Sequence, residues 1–233
     1  MAPSHPSPRP EIRTFALGDW QTNCHVVRVP GAVEPHDPRA CWIVDCGQRP
    51  GPLLEHVRRE GLRPVAILLT HCHVDHILGI DDALAAFGPL PILCHAAERD
   101  FNGEPMLNLS AFAGREVRVS PPTGTLADGD ALELAGTRWT VRHVPGHSPG
   151  GVAFVHEPTD GSDPVALVGD TLFAGSIGRV DFPTSDPEAL KRSLREILLR
   201  LPDGTRILPG HGPETTVGAE RRTNPFLQDF SAW

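Results

Sequence analysis

Seven short apolar runs punctuate the chain: "HVVRV" (25–29), "CWIVD" (41–45), "VAILLT" (65–70), "WTVRHV" (139–144), "GVAFVH" (151–156), "VALVGD" (165–170) and "TRILPG" (205–210). They are rich in Val and Ile and are bounded by Gly, Pro or Asp, which is the pattern of strands. Helical periodicity lies between them. Ile80, Ala83, Leu84 and Phe87 follow i, i+3, i+4, i+7 spacing. A second helix is predicted from Asp186-Pro187, an N-cap acid followed by a proline where no N–H is needed. Leu190, Leu194, Ile197, Leu198 and Leu201 make its apolar stripe, and Leu201-Pro202-Asp203-Gly204 ends it. Gly- and Pro-rich stretches at 30–38 and 157–164 read as surface loops. Residues 96–115 mix helix-compatible pieces with breakers and fit a loop over a site. Strands interleaved with helices imply a layered α/β fold.

Composition sharpens this picture. Hydrophobic residues make up 39% and charged residues 21% of 233, enough for one sizeable core over residues 11–233. The Pro-rich start, "MAPSHPSPRP", is expected to be a loose tail over 1–10. The net charge is −8 and the only lysine is Lys191, so a nucleic-acid partner is not expected. No stretch is apolar enough for a signal peptide or a membrane span. The five cysteines, Cys24, Cys41, Cys46, Cys72 and Cys94, form no CxxC pair and read as buried thiols of a reducing compartment. A cytoplasmic protein is expected, with no membrane partner; nothing in the sequence sets its oligomeric state.

The chemistry concentrates behind the third apolar run. "THCHVDH" (70–76) crowds His71, His73, Asp75 and His76 into six positions. At strand-like period 2, His71 and His73 point the same way, Asp75 lies close behind, and Cys72 points away. Packed together without a partner, these groups would cost several kcal/mol. A divalent metal removes that cost, and imidazole with carboxylate suits zinc or iron. By contrast His5, His25, His36, His56, His95, His143 and His156 stand alone and read as ordinary surface or core residues. Three later segments each put one more ligand-type side chain after an apolar run: His147 in "VPGHSPGG", Asp170 in "LVGDTLF" and His211 in "ILPGHGPETT".

With these motifs, "THCHVDH", "GHSPG", "GDTLF" and "PGHGPETT", the chain resembles the metallo-β-lactamase superfamily from "QTNCHVV" (21–27) to "NPFL" (224–227). The resemblance implies an αββα sandwich with a metal site at the strand ends. It implies that His71, His73 and His147 hold one metal and that Asp75, His76 and His211 hold a second. Asp170 would bridge the two, and Asp75 and Asp170 would be catalytic. The implied cofactors are two divalent ions, zinc first, with iron or manganese as alternatives. Two such ions sharing a hydroxide bring the pKa of water toward neutrality and polarise a carbonyl.

"GDTLFAGSIGRVDFP" and the C-terminal stretch resemble the glyoxalase II-like branch, which implies hydrolysis of a small-molecule acyl thioester. Only Gln228–Trp233 follow "NPFL", where full-length glyoxalase II enzymes carry a further helical domain, and the chain has no tyrosine. A shorter hydrolase acting on another acyl-thiol is therefore expected. The alternative is a mononuclear iron persulfide dioxygenase using His71, His147 and Asp170, or a lactonase. A β-lactamase proper is not expected, because the Asp170 motif follows the glyoxalase-like pattern. Arg179 and Asp181 are expected to form a buried ion pair, with Arg179 meeting an anionic substrate as the alternative, and Asn224 is expected to make a turn before Pro225. Trp20 and Phe173 fit either pocket or core.

Overall fold

All seven predicted apolar runs are strands, with ends shifted by a few residues, and seven further strands join them. In this computed structural model, residues 9–233 are described. The tail expected over 1–10 lies outside the described residues as far as residue 8; just after it, Arg9 pairs with Asp160 at 2.7 Å.

The first sheet is built from β1 (Glu11–Leu17), β2 (Thr22–Arg28), β3 (Ala40–Val44), β4 (Arg63–Leu68), β5 (Ile92–His95) and β6 (Gly124–Leu126), in that spatial order. The second contains β7 (Ala131–Leu134), β8 (Thr137–His143), β9 (Val152–His156) and β10 (Val165–Gly169). After a small hairpin of β11 (Leu172–Phe173) and β12 (Ser176–Ile177), β13 (Arg206–Pro209) and β14 (Thr215–Thr216) complete it, in the order β14-β13-β10-β9-β8-β7. The helices are α1 (Gly51–Arg59), α2 (Val74–Ile77), α3 (Ile80–Phe87), α4 (Pro187–Glu196), α5 (Val217–Thr223) and α6 (Pro225–Gln228).

Strand alternation creates four layers. Along β3, Trp42 and Val44 face the second sheet, while Cys41 and Ile43 face α1 and α3. Along β9 and β10, Phe154 and Leu167 point between the sheets, while Val155 and Val168 point at α4 and α5. The inter-sheet core is closed by Trp42 against Trp139, edge to face at 5.9 Å between ring centroids. Strands buried on both faces have no polar side, which is why their runs read as continuous apolar stretches. The result is the αββα sandwich expected from the sequence.

The predicted helix over Ile80–Phe87 forms as α3. Asp186 caps α4, its carboxylate accepting from the Ala189 N–H at 2.9 Å. That helix stops at Glu196, and a 3-10 turn over Leu198–Arg200 carries the stripe onward, keeping Leu198 in the core. β1 escaped prediction because it is an exposed edge strand with few buried positions. β7 escaped because its hairpin turn, Ala135-Gly136, carries an Ala where Asn or Asp is the usual signal; both residues have positive φ, 47° and 87°. All five cysteines are free and buried, with Cys72 in the helix-side core as expected.

The two sheets are stitched at one end. Val152 N–H donates to the Thr70 carbonyl at 2.8 Å, and Asn23 N–H to the Gly210 carbonyl at 2.7 Å. This end holds the C-terminal tips of β3, β4, β8, β10 and β13, where ligand sites of α/β sheets form.

Candidate metal centre

The tip of each strand delivers one part of the site. β4 runs out at Leu68, and the chain turns through Thr70–His73 into α2, which carries Asp75 and His76. The turn between β8 and β9 delivers His147, β10 delivers Asp170, and β13 delivers His211. All seven predicted side chains converge. His71, His73 and His147 form one group, His71, His76 and Asp170 a second, and Asp75, His76 and His211 a third; within each, the ligand atoms lie within 4.8 Å of one another.

The outer ring nitrogens are tethered to groups outside the cluster, and the inner ones meet only other members of it. His147 Nδ1 donates to the Arg179 carbonyl at 2.8 Å, and His211 Nδ1 to the Trp20 carbonyl at 3.1 Å. His76 Nδ1 meets the Asp45 carboxylate at 2.8 Å, and His71 Nδ1 the Thr70 hydroxyl at 3.2 Å. Each tether fixes a tautomer that turns Nε2 inward. His73 is the exception. Its Nδ1 is the inward atom, 3.0 Å from His147 Nε2. His71 Nε2, His76 Nε2 and Asp170 Oδ1 are fully buried and have no hydrogen-bond partner. Buried polar atoms without partners are costly, and these converge on one another. That orphaned set is what a divalent cation satisfies, so the residues fit a metal.

Charge is arranged to match. Burial lowers His71 well below its ordinary value and His73 to about 3, so both rings are neutral lone-pair donors. Burial alone would raise Asp170, but the His76, His211 and His147 rings around it hold it well below the carboxylate range. The same balance leaves Asp75 at about 2. His211 is raised to about 10: burial works against its charge, and hydrogen bonds to Asp170 and Asp75 overcome it. Two carboxylates therefore hold positive charge in the centre, as protons when no metal is there.

The family model described as the metallo-beta-lactamase superfamily matches residues 17–211. The chain belongs to the metallo-beta-lactamase superfamily. It is 36% identical over 192 residues to "Probable metallo-hydrolase YqgX" of Bacillus subtilis, covering 82% of this chain and 89% of that one. It is 34% identical over 231 residues to "Hydroxyacylglutathione hydrolase GloC" of Haemophilus influenzae, covering 94% and 99%. Among solved structures, the BLEG-1 B3 metallo-beta-lactamase superposes with a TM-score of 0.84 at 35% identity, covering 94% of this chain and all (100%) of that one. TTHA1623 in a di-iron-bound form superposes with a TM-score of 0.75 at 39% identity, covering 92% and 100%.

Around this superfamily centre the structure adds residues that sequence reasoning missed. Asp45, in the left-handed region at φ 58°, accepts from Thr70 N–H and Oγ1 at 2.8 and 2.7 Å while it holds His76. Thr22 donates to Asp75 at 2.9 Å. Asn23 fastens the 209–212 turn through the Pro209 and Gly212 carbonyls. Glu98 is wholly buried and accepts from Cys72 N–H at 2.5 Å and Gly150 N–H at 2.7 Å, tying the loop of His71 and His73 to the loop of His147. Burial pushes the Glu98 carboxyl up to about 7, and those two N–H groups hold it from rising further. Only the Asp ending "CWIVD" stood at a strand tip; Glu98 had no sequence signal, because its partners are backbone groups.

A cavity of about 740 Å³ opens over the centre, with His73, Asp75, His147, Asp170 and His211 at its floor. Trp20 and Phe173 line it, so both belong to the pocket. The 96–115 segment forms one wall through Leu109 and Phe112, as expected of a loop over a site. The Arg179–Asp181 pair forms at 2.8 Å, but its side chains are 67% and 66% exposed, not buried as expected. The pair is free of the core because "GRVDFP" runs along the cavity mouth. Asn224 caps α6 before Pro225 through the Phe226 N–H, and it also donates to the Ser176 carbonyl. Among the described residues no helix is long and apolar enough to cross a membrane.

Proposed function

We propose that this chain is a dinuclear metallo-hydrolase that cleaves a small acyl thioester. The observation that carries the reading is the convergence of seven ligand-type side chains, with orphaned buried atoms, five of them at the floor of a cavity and His71 and His76 beneath it. His71, His73 and His147 would hold one ion, and Asp75, His76 and His211 the other, with Asp170 between them. Bound divalent ions supply Lewis acidity, which lowers the pKa of water toward neutrality and polarises a carbonyl.

The protein's own groups set the geometry. Asp170 Oδ1 is a buried acceptor without a hydrogen-bond partner, 3.3 Å from His76 Nε2, which leaves this carboxylate able to lie between the two ions. Asp45, Thr70, Arg179 and Trp20 hold the histidine rings in place through their outer nitrogens. In the overall reaction water adds its oxygen to the carbonyl carbon, the C–S bond breaks, and a carboxylate, a thiol and a proton result. The thioester substrate is supported by the GloC relative, which matches over nearly its whole length. Zinc is the first expectation for the metal; the di-iron form of TTHA1623 supports iron equally.

The test is elemental analysis after gel filtration, followed by a panel of thioesters, lactones and a β-lactam, with glutathione persulfide run in an oxygen electrode. Two ions per chain and thioester cleavage are expected. One ion even after reconstitution, with persulfide-dependent oxygen uptake and no thioester cleavage, would replace the reading with a dioxygenase. Cleavage of the β-lactam alone would replace it with a lactamase.

A further inference from the structure

The walls of the cavity are unlike its floor. Among the described residues four large apolar side chains are exposed: Trp20, Val33, Met106 and Phe112. Trp20 and Phe112, 42% and 59% exposed, both line this cavity. Isolated exposed apolar residues are ordinary, but a cluster at the mouth of a site marks an apolar ligand. Phe173 and Phe182 complete the aromatic wall.

Leu109 adds an independent sign. It lines the cavity at φ 66°, a conformation that branched side chains rarely adopt. Its neighbours hold it there. Asn108, fully buried, donates to the Phe101 and Val117 carbonyls at 2.9 and 3.1 Å and accepts from the Ser110 N–H at 3.0 Å. A strained residue fixed by so many partners is a place where backbone strain serves a site.

Charge on the walls points the same way. The only Arg or Lys among the lining residues is Arg179. Its guanidinium is already engaged by both Asp181 carboxylate oxygens at 2.9 and 2.8 Å and lies 4.5 Å from the Phe182 ring centroid. On the walls a strongly anionic thiol carrier would find no cationic side chain free of an acidic partner; His211 at the floor is likewise engaged, by Asp75 and Asp170.

We propose that this cavity is an acyl-chain site, taking thioesters whose acyl group is an apolar alkyl or aryl chain in preference to short hydroxyacyl groups on anionic thiols. The inference rests on the hydrolase reading for turnover but not for binding. Its test is a series of acetyl, butanoyl, hexanoyl and octanoyl thioesters of N-acetylcysteamine, run beside S-lactoylglutathione. Each buried methylene should raise kcat/KM about fourfold, chiefly through KM. With two to three of its four additional methylenes buried, hexanoyl should exceed acetyl by roughly thirtyfold. Phe112→Ala should flatten that slope, lowering hexanoyl kcat/KM far more than acetyl; Phe112 is exposed, so folding is not at stake.

A second measurement is independent of turnover. Calorimetric titration with non-hydrolysable S-methyl and S-hexyl thioethers of the same thiol should show S-hexyl binding at least tenfold tighter, a difference lost in Phe112→Ala. Flat chain-length profiles in both series, or S-lactoylglutathione preferred with a preference lost in Arg179→Ala, would overturn the acyl-chain site. Tight S-hexyl binding with no thioester turnover by the two-metal protein would uphold the site and refute the hydrolase reading.

Discussion

Removing the Glu98 carboxylate should loosen two ligand-bearing loops at once. Oε2 takes the N–H of Cys72, which sits between His71 and His73, and Oε1 takes the N–H of Gly150, three residues beyond His147. Gly150 allows this approach; a Cβ there would stand 2.7 Å from Glu98 Cγ. A buried N–H left without a partner costs about 1–3 kcal/mol. Glu98→Ala orphans two, so its cost is about 2–6 kcal/mol, a fall in Tm of roughly 5–20 °C for a chain of this size. Glu98→Gln keeps one acceptor oxygen and turns an NH2 toward the other donor, so roughly half that cost is expected. Urea unfolding of metal-free protein reads the stability change. Competition with a chelator reads metal affinity, which should fall about 10–100-fold, as for other residues that orient ligands. If Glu98→Ala leaves both the urea midpoint and the chelator competition at wild-type values, the clamp does not exist. A large loss of stability with unchanged affinity would make Glu98 a core residue with no part in orienting the ligands.

Three further outcomes are expected. Stripped of metal with a chelator, the protein should lose activity and melt at lower temperature, and reconstitution should restore both at two ions per chain by elemental analysis, because bound ligand stabilises by mass action. Asp170→Asn should lose more than about 100-fold in kcat/KM and at least one ion; His56→Ala, which removes a buried ring packed on Phe15 at 5.3 Å, should cost roughly 1–2 kcal/mol in urea and keep both ions. His25, buried with its Nδ1 3.0 Å from the Thr14 hydroxyl, is lowered by burial, and secondarily by His76, from 6.5 to about 3. The unfolded chain therefore binds more protons between those values, and His25 stabilises fully above pH 6.5 and progressively less below it. By pH 4.5 the loss is roughly 3 kcal/mol, so the unfolding free energy of metal-free His25→Gln should fall less steeply between pH 7 and 4.5; equal slopes would contradict the assignment.

The sequence by itself determined seven of the fourteen strands, the helices α3 and α4, and the ligand-type residues. Buried two-faced strands write continuous apolar runs, and a polar cluster such as "THCHVDH" behind one has no inexpensive use other than holding a cation. Asp186-Pro187 specified the start of α4 because N-capping is local. Tertiary structure alone decided the rest. Edge strands such as β1 carry little burial and so leave little trace. Glu98, Asn23 and Thr22 act through partners tens of residues away, and two of those three bind backbone groups, which have no side-chain identity to read. Leu109 lies in a stretch whose sequence fits a loop, yet its strained φ and its place in the cavity wall depend on Asn108 reaching the distant Val117 carbonyl. The Arg179–Asp181 pair shows the converse: two residues apart, its existence was legible, but its exposure was set by where the folded chain leaves the cavity mouth.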